Sequence, residues 1–323
     1  MSRSPRPEAG AAERVLRRLE WTVIRRLDGL LHGDYRTLFR GSGLDLADLR
    51  EYQYHDDVRH IDWNVTARLQ APYVREYHED REVTAWFLLD LSPSIEFGAA
   101  AQKRTLSAEF VAVLARLLTR QGNRVGALLY GDRVDTVIPP RAGRRHVLSI
   151  LHRLQARAPL QRSAGTDLGA FLRAAQGVLR RRSLVFLVSD FFSAPGWAEP
   201  LAHLAARHEV VAVRLHDALE RALPDVGLLL FEDAETGEQL FVDTHDKGFR
   251  TRFASAAERR ERELRQALAR AGVDCLELAT DGELVDALVR FAELRRRRSR
   301  LNAGGGVPQG RREAVPAHLE RTA

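Results

Sequence analysis

The chain is predicted to be an α/β protein built on a doubly wound, mainly parallel sheet, and three observations carry that expectation. Several short segments, "VTAWFLLD" (83–90), "SLVFLVSD" (183–190) and "EVVAVRL" (209–215), are apolar almost throughout, as strands buried on both faces must be. Between them lie stretches with apolar residues at helical spacing, so strand and helix alternate. With 323 residues and 45% hydrophobic content, the chain is long enough to cover such a sheet with helices.

Taken in order, residues 13–31 place Leu16, Leu19, Val23, Leu27 and Leu30 on one helical stripe with arginines between them, which describes an amphipathic helix packed on something larger. Two extended segments follow, 72–79 and 83–90, the second suited to a central strand. Leu106, Phe110, Val113, Leu114 and Leu117 form the next helical stripe, and Gly122 stands where a C-terminal cap belongs. "VGALLY" and "VDTVI" flank Gly131-Asp132, read as a two-residue β-hairpin turn. Helices are expected at 143–156, 167–181 and 197–207. "LLLFED" and "EQLFVD" around "AETG" read as a second hairpin, then come a long helix at 246–271, a last strand at "VDCLEL" and a helix at 283–296. The chain therefore divides into an N-terminal extension (1–80) wrapping an α/β body (81–296), and a basic, Gly-rich tail (297–323) expected to be disordered.

Composition narrows the function classes. The longest apolar runs fall far below the roughly 18 residues of a membrane helix, and the start lacks the apolar core of a secretory signal. The lone Cys275, in an apolar strand, reads as an inert core thiol and fits a reducing compartment, so a cytoplasmic location is expected. The net charge of +6 sits in the flanks: residues 1–40 carry +4 and residues 290–323 carry +6, leaving a body of −4. The run "RRRRSR" at 295–300 reads as the solvated end of the last helix, facing its negative dipole, and no nucleic-acid partner is expected from it. Nucleic-acid binding through these flanks stays as an alternative, with a steep loss of affinity in salt as its signature.

Ligands of open α/β sheets gather at the carboxyl edge of the strands. Three loops predicted there supply hard oxygens: Asp90, Ser92 and Ser94 in "DLSPS", Thr166 in "SAGTD", and Asp190 in "SDFFS". Carboxylates and hydroxyls without His or Cys suit a divalent cation, Mg²⁺ first and Mn²⁺ or Ca²⁺ next, and suit zinc poorly. The spacing Asp-x-Ser-x-Ser lets alternate residues of a tight extended turn point the same way. A simpler reading is also available, because Asp, Ser and Thr before helices are favoured N-caps and Thr166-Asp167 could be no more than that. The five residues together resemble the metal-ion-dependent adhesion site of von Willebrand factor A domains, in which Asp-x-Ser-x-Ser, a remote Thr and a remote Asp share a divalent cation. That resemblance implies the Rossmann-like sheet of those domains for the body of the chain. It also implies an acidic side chain of a partner as the outside ligand, since two carboxylates only neutralise the ion and leave it attractive to another anion.

The segment 49–94 resembles the bacterial MoxR-associated family catalogued as domain of unknown function 58, through Tyr52, Asp56, Asp57, Arg59, Ile61, Asp62, Trp63, Ala67 and Arg68. His55 stands where that family usually has Gly, and Ile95 where Met commonly follows the second Ser. Read physically, the aspartates with Arg59 and Arg68 form a hydrogen-bonded clasp with Trp63 buried as its anchor. A second metal site using His55 and His60 is the other reading, without convincing ligand spacing. The resemblance implies a MoxR-type AAA+ ATPase as partner in a chaperone-like maturation of a protein complex. The chain has no Gly-x-x-x-x-Gly-Lys-Ser/Thr loop of its own. The expectation is thus a non-enzymatic, metal-dependent adaptor. A metal-dependent phosphoester hydrolase is the alternative; no catalytic residue is assigned, because neither serine lies in a Gly-x-Ser-x-Gly elbow.

Overall fold

A computed structural model describes residues 9–27, 48–53, 61, 63–76, 83–98, 102–158, 160, 165–233 and 236–304. Ten strands are described: β1 (Asp48–Glu51), β2 (Tyr73–Glu76), β3 (Thr84–Asp90), β4 (Arg124–Tyr130), β5 (Val134–Arg141), β6 (Leu184–Ser189), β7 (Glu209–His216), β8 (Leu228–Glu232), β9 (Gln239–Asp243) and β10 (Asp274–Ala279). The helices are α1 (Ala9–Leu19), α2 (Trp63–Leu69), α3 (Lys103–Arg120), α4 (Arg144–Ala156), α5 (Leu168–Val178), α6 (Ala198–Arg207), α7 (Lys247–Arg270) and α8 (Leu284–Gly304).

Six strands form the central sheet in the order β10-β7-β6-β3-β4-β5. All neighbours are parallel except β5, which closes one edge antiparallel to β4. The alternation of strand and helix forces this, since a parallel neighbour needs a crossover long enough to hold a helix. The strand side chains sort by parity. Phe87, Leu89, Phe186 and Val213 face a layer containing α1, α3, α4 and α8, while Trp86, Leu88, Leu187 and Ala212 face α5, α6 and α7. On the first face the Phe87 and Phe186 rings stack at 5.2 Å, and Phe110 of α3 meets both edge-on. With its two faces apolar, β3 runs along the middle of the molecule and delivers its last residue, Asp90, to the carboxyl edge.

The extension contributes directly to the core. Ala12, Leu16, Leu19, Val23 and Leu27 are buried on the α3–α4 side, so the expected stripe is the packing face, and the helix passes through a π turn at Glu20–Ile24. Glu13 and Glu20 anchor it through Arg144 (2.7 Å) and Arg116 (2.7 Å). Three expectations need correction. Trp63, expected to be a buried anchor, opens α2 and is 70% exposed; Val65 and Thr66 take the inward side, and Thr66 Oγ1 accepts from the Tyr73 amide at 3.0 Å. Its supposed partners Asp56, Asp57, Arg59 and Asp62, with His55 and His60, lie outside the described residues, as does Leu30. The β4–β5 connection is three residues, Gly131–Arg133, because Tyr130 pairs with Val134. Finally, α8 runs past the expected boundary at 296 to Gly304, since "RRRRSRLNA" contains no helix breaker. The rest of the Gly-rich tail lies outside the described residues.

Candidate functional site

The strand order creates the site. From β3 the chain crosses through α3 to β4 on one side, and the later crossover through α5 brings β6 to the other side. The strand order thus reverses at the carboxyl ends of β3 and β6, the place where this architecture holds ligands. Asp90 ends β3, Ser189 ends β6, and Asp190 follows it at once.

Asp90 is fully buried and held on both oxygens. Its Oδ1 accepts from the Ser92 amide at 3.0 Å and its Oδ2 from the Ser189 hydroxyl at 2.7 Å. Ser92 precedes the 3₁₀ turn Pro93–Glu96 but does not cap it with its side chain; its hydroxyl lies instead 3.2 Å from that of Ser94. Asp190 is buried, with Oδ1 accepting from the Phe192 amide at 3.0 Å and Oδ2 paired with the Lys103 ammonium at 2.8 Å. Asp90 and Asp190 are near enough to repel one another. Burial, and then that repulsion, push the Asp90 carboxyl up to about 7 against the opposing Ser189 and Ser92 hydrogen bonds.

Thr166 reaches the same region by its loop. Its carbonyl accepts from the Ala194 amide (2.9 Å) and the Ser193 hydroxyl (3.0 Å), which ties the turn before α5 to the turn after β6. The capping role belongs to its neighbour: Asp167 accepts from the Ala170 amide at 2.8 Å, and Thr166 is buried beside it. Asp90, Ser92, Ser94 and Asp190 are thus joined by hydrogen bonds and charge, and Thr166 stands on the adjoining loop. Phe191, at φ 62°, carries the left-handed backbone that turns this loop back; its amide donates to Ser189 Oγ at 2.9 Å.

Sequence reasoning missed three members. Lys103, in the first turn of α3, is buried and bridges Asp190 and Glu220, a residue of the short turn after β7. Burial alone would lower the lysine's pKa, but Asp190 and Glu220 more than compensate and hold it raised. On Glu220 the balance reverses, burial outweighing Lys103 and leaving its carboxyl above the ordinary range. Ser189 is the third. An ammonium at a helix N-terminus opposes the helix dipole, so its placement there requires the two carboxylates. No local signal in "AQKRTL" marks it.

With all its carboxylates ionised, this group of buried Asp90 and Asp190, half-buried Glu220 and one lysine would carry a net −2, which a dication would cancel. The donors fit one. Ligands about 2.1 Å from Mg²⁺ on adjacent octahedral vertices stand roughly 3 Å apart, close to the separation of the two serine hydroxyls. Among the described residues no group of three or more His, Cys, Asp or Glu side chains forms a metal cluster, so hydroxyls would have to complete any cation shell.

The family model described as "Protein of unknown function DUF58" matches residues 48–263. The chain belongs to this family. It is 37% identical over 292 residues to uncharacterised proteins of Mycobacterium tuberculosis strain H37Rv and Mycobacterium bovis, covering 90% of this chain and 91% of theirs. An uncharacterised protein of Mycobacterium avium is 34% identical over 164 residues, 50% of this chain and 95% of its own length. Among solved structures, an aerotolerance-related membrane protein from Bacteroides fragilis is similar at TM-score 0.41 and 13% identity, over 67% of this chain and 99% of that one. The PilB minor pilin of Streptococcus sanguinis gives TM-score 0.36 at 12% identity, over 71% and 64%. In this DUF58 protein no helix among the described residues is long and apolar enough to cross a membrane.

Proposed function

We propose that the chain is a non-enzymatic adaptor that holds a divalent cation, Mg²⁺ or its Mn²⁺ and Ca²⁺ relatives, at a site of the von Willebrand factor A kind. Ser92, Ser94 and Thr166 would ligate through their hydroxyls, and Asp90 and Asp190 directly or through water. The cation would supply an electrophilic centre for an acidic side chain of a partner. The partner is a MoxR-type AAA+ ATPase or the client it matures, and the setting is the cytoplasm.

One observation supports the reading: two buried carboxylates, Asp90 and Asp190, meet at the carboxyl ends of β3 and β6 beside two serine hydroxyls whose 3.2 Å separation suits neighbouring cation ligands. Such a charge is costly to bury alone. The chain's own residues then divide the work. Ser189 and the Ser92 amide fix the Asp90 carboxylate, Lys103 and the Phe192 amide fix that of Asp190, and the Thr166 loop is pinned by Ser193.

The test is a titration of the purified protein with a MoxR-type ATPase in Mg²⁺ and in chelator, using wild type and Ser92→Ala. Association that needs the metal and is lost in the variant supports the adaptor. Equal binding under all four conditions discards the metal bridge, and turnover of generic phosphoesters abolished by Asp90→Ala would favour the hydrolase.

A further inference from the structure

The hairpin of β8 and β9, inserted between β7 and α7, has an unusual surface. Leu230 and Phe241 are directly paired across the strands and so project from one face, with Leu228 beside them. They are 50%, 74% and 75% exposed, whereas Val242 on the opposite face is buried. Around this apolar face the segment 225–246 holds seven acidic residues and no Lys or Arg. Among the described residues β8 and β9 pair only with each other.

These features decide what can cover the face. Apolar side chains clustered on a small projecting element mark an interaction surface. A second hairpin cannot be the cover, because like charges set opposite one another would repel. The cover must bring positive charge around an apolar or aromatic centre. The same chain displays such a surface on the outward side of α1 and its π turn, where Arg14, Arg17, Arg18 and Arg25 are exposed around Trp21. Trp21 is 67% exposed, and the Arg25 guanidinium lies 3.5 Å from its ring centroid. Both surfaces are open within one copy, so neither covers the other in cis.

We propose that the acidic, apolar hairpin of one copy docks on the arginine-flanked Trp21 face of a second copy. Phe241, Leu230 and Leu228 pack against the indole, and the hairpin carboxylates face the exposed guanidiniums. The contact is head-to-tail, so a pair of copies keeps one unused face of each kind, and the assembly is a ring or an open chain according to whether the rotation closes. Much of the attraction is between exposed charges and is screened once the Debye length falls well below its value of about 10 Å at 0.1 M salt. This inference is independent of any cation at the site.

The experiment is sedimentation velocity on the full chain across the micromolar range, at low and high salt. It uses Phe241→Ser and Leu228→Ser on the hairpin, and Trp21→Glu and a paired Arg14→Glu, Arg25→Glu variant on the helix. Circular dichroism identifies the folded variants, and two on each face keep the test alive if one fails to fold. Wild type should associate with rising concentration at low salt, and each variant should weaken that association by at least about 30-fold. A mixture of one hairpin variant and one helix variant should give 1:1 dimers and nothing larger, since one intact face remains on each. Wild type that stays monomeric at low salt, association indifferent to these substitutions, or a mixture that fails to pair would overturn the proposal, including the case in which a different protein covers the hairpin.

Discussion

Replacing Asp90 with Asn tests the electrostatics of the site most directly. The fold holds this carboxyl at about 7 instead of the ordinary 3.8, and each unit corresponds to about 1.4 kcal/mol, so ionising it costs about 4 kcal/mol of stability. The sign follows from proton counting. Between these two values the folded state binds more protons than the unfolded one, so the stability contributed by this group is whole below about pH 4 and is lost as pH rises through 7. Asn removes the charge and its dependence on pH. Its amide cannot accept from both the Ser92 amide and Ser189 as the carboxylate does, which gives back about 2 kcal/mol. Asp90→Asn should therefore be more stable than wild type by about 2 kcal/mol at pH 8 in chelator, and should lose that advantage at pH 5. Mg²⁺ at a hundred times its dissociation constant should then stabilise wild type by about 2.7 kcal/mol and leave the variant unmoved. Urea denaturation in the three conditions reads all of this. A variant less stable than wild type at pH 8 in chelator would refute the charge argument, and an equal Mg²⁺ shift in both proteins would refute the assignment of Asp90 to the cation.

Three further outcomes are expected. Lys103→Met leaves buried Asp190 and half-buried Glu220 without their shared ammonium and should cost about 3–5 kcal/mol in urea denaturation; a loss below 1 kcal/mol would mean that the cluster holds its charge by other means. Gly126→Ala places a Cβ 2.9 Å from the Ile138 carbonyl and 2.9 Å from the Trp86 ring, so a loss of about 1–3 kcal/mol is expected from overpacking β4 against β5. Burial pushes the Cys275 thiol up to about 12. The thiol is half-buried, so a thiol-disulfide reagent at pH 8 should react with it more slowly in the folded than in the unfolded protein, and equal rates in the two states would contradict the shift.

The parts legible in the sequence are those written in local spacing. Phe87, Leu88, Phe186 and Ala212 announce doubly buried strands because their neighbours in the chain are apolar too, and Gly122 marks the end of α3 by adopting φ 84° there. Asp90, Ser92 and Ser94 are legible for the same reason, since a two-residue repeat past a strand end is a local pattern. Trp63 shows the limit of composition. A tryptophan among charges reads as an anchor, yet its position as the first residue of α2 gives it no inward direction, and the polar Thr66 one turn later holds the next strand instead. The charge balance was hidden more deeply. Lys103, Ser189 and Glu220 come from three segments separated by 86 and 31 residues, and each alone reads as a solvated helix start, a strand end or a turn acid. Only the crossovers that set β6 beside β3 and β7 beside β6 make them neighbours. The ligand-like residues can therefore be found from the chain, whereas the groups that fix their charge, and so decide whether a cation belongs there, follow from topology.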